Sequence, residues 1–294
     1  VLLFTLWLRR APGRTVAAFV AAGVLGTLPC LLYHQLAFGS PIATGYAFKA
    51  DDWHAIIHST GVLGITWPTP ERLWGVLLGA KRGVIYYCPM LVLVPLGLRQ
   101  MSRHRRGSAL PYGLLLVLCI SCAAGFVDWQ AGWSAAARHL LPGFCVSLVP
   151  LVIGLHALAS HARWSWIAPL LIGASLAGAW LSVALTPFFP EHFSAPLSQL
   201  VLPSLLSGHA APTLFSAAGS SGGWMVVCAA GLVALVLVFW GTVQLAGIPA
   251  SRFRALALLV GGAALYVCAI SLAESPNEEQ IQMQAEVLRR IGYP

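Results

Sequence analysis

The sequence predicts an all-α fold, a polytopic transmembrane helical bundle, and three observations predict it. Hydrophobic residues make up 58% of the 294 and charged residues only 9%, with a mean hydropathy of +0.80. Soluble domains carry about a quarter charged residues, so the solvent for this surface is a bilayer. The apolar residues come in long runs without alternation, which favours helices over a closed barrel, the other element that satisfies its backbone in hydrocarbon. The charges also sort along the chain, with basic residues in short turns and acids in longer connections.

The chain opens VLLFTLWL and stops at Arg9-Arg10. Eight residues rise about 12 Å, well short of the roughly 30 Å hydrocarbon core. No basic leader precedes them, so they read as the end of a spanning helix that begins before Val1. About seven full spans follow, at 15–38, 84–98, 108–127, 143–158, 164–185, 224–247 and 255–273. The second is short and holds Pro89 and Pro95, which predicts a kink or an earlier start. Residues 1–273 are expected to form one transmembrane helical domain.

Ten of the 17 basic residues lie in 9–14, 99–107, 159–163 and 248–254, and none of the nine acids does. The positive-inside rule puts these turns in the cytoplasm. Segments 39–83, 128–142, 186–223 and 274–294 then face outward. The net charge of +8 is thus a topogenic signal beside anionic lipid rather than a nucleic-acid surface. In the tail, Ser275-Pro276-Asn277-Glu278 reads as a capping box with Ser275 as N-cap and Glu278 at N3. Ile281, Ala285 and Leu288 follow at helical spacing, which predicts an amphipathic, outward-facing helix within 274–294. Its expected role is a structural cover.

The seven cysteines all fall within apolar runs, so no disulfide framework is expected. The C-x-x-C pair Cys119 and Cys122 sits mid-helix and reads as packing rather than as a redox or metal site. Neither a phosphate-binding glycine loop nor a serine nucleophile elbow is present.

Three places carry candidate chemistry. In the first outer segment, Asp51, His54 and His58 stand at i, i+3 and i+7, one helical face that can hold a divalent metal. Asp52 beside them can serve as a base, and Asp51-Asp52 is the only acidic pair in the connections between spans. Polar residues at this spacing are more often the wet face of a surface helix. Further on, PERLWGVLLGA reads as an interfacial helix with Leu73 and Trp74 toward lipid. Lys81 and Arg82 follow at the start of the next span. Two cations there either snorkel to headgroups or clamp a lipid phosphate.

The third place is DWQAGWSAAARHLLP, 128–142. If helical, it stacks Trp129 on Trp133 and Ser134 on Arg138. The tryptophans fit an aromatic belt. Arg138 and His139 stand directly before the apolar run LLPGFCVSLVPL, at the membrane edge. An arginine there suits two-pronged binding of phosphate or carboxylate, and a histidine can hydrogen-bond the same group.

Three phrases taken in order, LAFGSPIATGY (36–46), LLGAKRGVIYYCPMLVLVPLGL (77–98) and DWQAGWSAAARHLLP (128–142), resemble the C-terminal half of bacterial membrane glycosyltransferases of the GT-C superfamily. Those are the relatives of protein mannosyltransferases and lipid A aminoarabinose transferases. They often carry FGSPxxTGY, then SPxRGLFxYSPxLLLxxxGL, then WWGGWSxGPRYLLPxxP. The resemblance covers about 30–155 by motif and the rest by hydropathy. It implies transfer of a sugar from a polyprenyl-phosphate donor to a glycan, lipid or protein acceptor at the outer face of the bacterial cytoplasmic membrane. It also implies that Arg82 and Arg138 are the cations near the donor phosphate, with Lys81 and His139 beside them. This chain departs from the phrases at Ala131, Ala136 and His139, where they have glycine, glycine and tyrosine. The catalytic carboxylate of such enzymes lies in their first outer loop, which this sequence does not contain, so Asp51-Asp52 reads as loop charge.

The alternative is a non-enzymatic transporter, flippase or structural subunit for lipid-linked glycans. A transport path keeps ionisable groups within its spans. These spans hold none apart from His34 and His156 near their ends.

Overall fold

The computed structural model describes residues 10–42, 56–57, 59–62, 64–104, 106–186, 188–207, 209, 231, 252–271 and 277–290. Asp51, Asp52, His54 and His58, the opening run, and the 224–247 span apart from Gly231 lie outside them. Among the described residues the regular elements are all helical, with two isolated antiparallel bridges, Val62 to Ile65 and Ile65 to Phe126.

Helix α1 (Gly13–Phe38) stands apart, with no buried residue. Helix α2 (Pro70–Leu77) is capped by the Thr69 side chain, which accepts from the Arg72 N–H, and has Pro70 in its first turn. Then comes a broken helix: α3 (Val84–Tyr87), a 3-10 turn (Pro89–Leu93) and α4 (Val94–His104). Helices α5 (Arg106–Gly125), α6 (Leu141–Ala159) and α7 (Ile167–Ala184) run back and forth beside it. A π-turn (Leu197–Val201) leads into the short α8 (Leu202–Leu206). Helices α9 (Arg252–Ser271) and α10 (Glu278–Arg290) complete the described chain. By length and composition α1, α6 with its leading turn, and α7 can each cross a membrane.

The break in this helix has a local cause. Cys88 precedes Pro89, and the pre-proline residue is pushed out of the helical region, here to φ −140° and ψ 74°. An unbroken helix would join the Met90 N–H to the Tyr86 carbonyl. Instead the Met90 N–H donates to Ser175 Oγ at 2.8 Å, and the Tyr86 carbonyl accepts from the Tyr266 hydroxyl at 2.6 Å. Side chains of α7 and α9 thus replace the lost bond. Beyond the break the helix continues to His104, past the expected end at Leu98.

Glycines let the helices close up. A Cβ on Gly97 of α4 would collide with the Pro150 carbonyl of α6, and one on Gly154 with the Leu93 carbonyl. Helices α7 and α9 meet in the same way, Gly173 on Leu259 and Gly262 on Leu170. Close backbone approach through small residues is how helices associate where no hydrophobic force drives them. Two apolar cores result. One joins α2 to α6 through Val76, Val84, Leu91, Ala124, Leu140 and Leu151. The other gathers Leu181, Phe189, Phe193, Leu197, Leu200 and Ile270. The start of the segment after α7 is therefore a plug, with Phe189 and Phe193 fully enclosed.

The tail helix forms, two residues later than its sequence suggests. Asn277 and Gln280 make the reciprocal cap, Gln280 N–H to Asn277 Oδ1 at 2.8 Å and Asn277 N–H to Gln280 Oε1 at 3.0 Å. The inward face carries Gln280, Met283, Gln284, Val287 and Leu288, and Ile281 is exposed. Two glutamine amides set this face: Gln280 donates to the His192 carbonyl at 3.0 Å and Gln284 to Ser204 Oγ at 2.8 Å.

Candidate functional site

Turns 79–83 and 128–140 and the plug 188–196 meet at one end of the bundle, and Arg82 is where they meet. It is the one charged side chain among the described residues with no exposed surface. Its Nε donates to the Gln130 carbonyl at 3.0 Å and Nη1 to the Lys81 carbonyl at 3.0 Å. Nη2 donates to the Gly132 carbonyl at 2.9 Å and the Phe189 carbonyl at 2.8 Å. Four of the five N–H donors of a guanidinium are thus spent on backbone carbonyls. Burial pushes the Arg82 guanidinium down, while Tyr87, Glu191 and Asp128 push it up and Arg138 opposes it. An arginine starts so high that it stays charged.

The stretch 128–137 is not a helix. It is a chain of turns with Ala131 at φ 61°, Gly132 at φ 62° and Ala136 at φ 53°. The i, i+4 stacking of Trp129 on Trp133 therefore does not arise, and each ring has its own protein partner. Trp129 lies over Gly75 of α2, where any Cβ would strike the ring. Trp133 lies under the Arg290 guanidinium. Regular structure resumes with a 3-10 turn, Arg138–Leu140, that runs into α6.

Arg138 is exposed at this turn, and His139 is half-buried with its ring 4.8 Å from that of Phe126. Lys81 is half-buried. Burial lowers its ammonium below its ordinary value, Arg82 lowers it further, and Glu191 partly restores it. The cluster brought together is Lys81, Arg82 and Arg138 with Asp128 and Glu191. Sequence reasoning singled out the three cations. It passed over Glu191, although the polar pair Glu191-His192 interrupting TPFFPEHFSAPL was an available signal. Asp128 also received no role from the sequence. In the structure Asp128 acts on Arg82.

Directly below the 138–140 turn lies an apolar cavity of about 250 Å³, lined by Leu77, Val84, Leu116, Ile120, Leu140 and Phe144 among others. It shares Val94, Pro95, Leu116 and Ile120 with a second cleft of about 770 Å³ that extends to Ser102 and Ala109. The two make one groove along α5. From Ile120 to Ala109 it follows the helix for about 16 Å. Among the described residues no group of acids, histidines and cysteines is arranged to hold a metal. Comparison with protein-family models, curated proteins and solved structures finds no match.

Proposed function

We propose that this chain is a membrane portion of a GT-C type glycosyltransferase, acting on a polyprenyl-phosphate-linked sugar at the outer face of the bacterial cytoplasmic membrane. The observation that carries the reading is the junction of cations and groove. A cluster with three cations and two acids stands at the top of an apolar groove, a layout that suits an amphiphile with an anionic head and a long hydrocarbon tail. Arg138 presents the accessible guanidinium, and Lys81 adds a second charge held at a cost in desolvation. Lys81 is half-buried, so a phosphate held against it is less well screened than one in open water.

Two details support treating 128–142 as the motif it resembles. Ala131 and Ala136 replace glycines of the phrase WWGGWSxGPRY, and both adopt positive φ, the conformation glycine takes without strain. The seven-span topology with its short basic turns inside belongs to the same proposal. The acceptor is a glycan, a lipid or a protein. The experiment is Arg138→Ala in the full-length protein. Sugar transfer and binding of a polyprenyl-phosphate donor should both fall. Unchanged transfer with unchanged donor binding would remove the phosphate role and the reading with it.

A further inference from the structure

Arg82 was expected beside the donor phosphate, but its seat suggests a different task. It is enclosed, and three of its four bonds reach chain segments far away in sequence: Gln130, Gly132 and Phe189. From Gly132 the bonds continue toward Arg138. The Gly132 carbonyl that accepts from Arg82 also accepts from the Ser134 N–H at 2.9 Å. Ser134 Oγ in turn donates to the Ala136 carbonyl at 3.5 Å, a long contact that closes the loop. Ala137 then leads into the Arg138–Leu140 turn, closed by the Leu140 N–H on the Ala137 carbonyl at 2.9 Å.

We infer that Arg82 is a positioning residue: it fixes the turns 130–137 from beneath and so sets where Arg138 presents its guanidinium to an anionic lipid head. This rests on the proposed function for the identity of the ligand, and on geometry alone for the coupling. The planar fork matters as much as the charge. A lysine at 82 carries one ammonium and cannot meet carbonyls of three segments in one plane. The coupling runs through hydrogen bonds from Arg82 to Ala136 and through the backbone from there to Arg138, rather than through mere proximity.

A double-mutant cycle in the full-length protein in nanodiscs tests it, with a polyprenyl monophosphate as the probe. Arg138→Ala should weaken probe binding by roughly tenfold or more, as the loss of a charged phosphate contact does. Arg82→Lys should weaken it by a similar factor although the charge is kept. The double variant should bind no worse than Arg138→Ala alone. Losses that simply multiply would make Arg82 an independent contributor and overturn the inference. Amide hydrogen exchange on the same proteins, without probe, separates this result from the functional reading. Arg82→Lys, and Arg82→Gln where it folds, should speed exchange over 130–140 and near 189, while Arg138→Ala leaves both as in the wild type. Unaltered exchange there in Arg82→Lys overturns the positioning role whatever the ligand. If instead wild-type protein ignores the probe while exchange responds as stated, the functional reading falls and the coupling stands.

Discussion

The Arg290 guanidinium carbon lies 5.3 Å from the centre of the Trp133 ring, so the last turn of α10 rests on the stretch that leads into the Arg138 turn. The same arginine donates to Glu286 at 2.9 Å, one helical turn back. One side chain thereby ties the end of the described chain to the candidate site.

Replacing Arg290 by alanine should loosen this lid without unfolding the bundle. A cation over an aromatic face at a partly exposed site contributes about 0.5–1 kcal/mol. Proteolysis within 286–290 should quicken accordingly, with the bundle itself intact. Acid should act in the same direction. The Arg290 hydrogen bond holds the Glu286 carboxyl below its ordinary value, so its stabilising effect is complete above that value and fades as pH falls through the lowered one. Proteolysis that is equally fast in wild type and Arg290→Ala would mean the contact does not restrain the helix.

Glycine 97 should tolerate no side chain. A methyl there meets the Pro150 carbonyl, and the two helices must part to admit it. Overpacking of this kind costs about 1–3 kcal/mol. Gly113 on α5 is the control, because nothing stands near its would-be Cβ. Thermal unfolding in detergent should show Gly97→Ala clearly destabilised and Gly113→Ala unchanged or slightly more stable.

Lys81 should be a charge kept at the expense of stability. Burial lowers its folded-state pKa below the ordinary 10.5. The unfolded chain then binds more protons than the folded one between the two values, so stability rises with pH across that window. Below the lowered value the whole penalty is present. Lys81→Met should therefore melt higher than wild type at pH 7 and lose the rise between the lowered value and 10.5, while donor binding weakens. A melting temperature that falls at pH 7 would mean the stem and ammonium are better satisfied than burial implies.

The helices were legible because hydropathy integrates over many residues, and α6 and α7 lie close to where the apolar runs place them. Pro89 and Pro95 announced a kink, but not that Ser175 and Tyr266 would complete the break at Pro89, since those lie 85 and 180 residues away from their partners. The tail shows how a strong local signal loses to tertiary contact. Ser275 and Glu278 have the better cap spelling, yet Gln280 also reaches the His192 carbonyl, which places the cap at Asn277. Arg82 was legible as important, but its burial among distant backbone carbonyls was not. A basic pair before a span looks the same in sequence whether it faces headgroups or is folded beneath two distant turns. Arg138 stands where its position before an apolar run puts it, at an exposed edge.

The interrupted helix at Cys88 and Pro89 bears on how the bundle folds. Without tertiary partners the Tyr86 carbonyl and Met90 N–H would be left unpaired, and an unpaired backbone group away from water is costly. Both partners, Ser175 and Tyr266, are translated later. The broken helix 84–104 is therefore completed only when α7 and α9 have packed against it, so its final form is a property of three helices and not of its own segment.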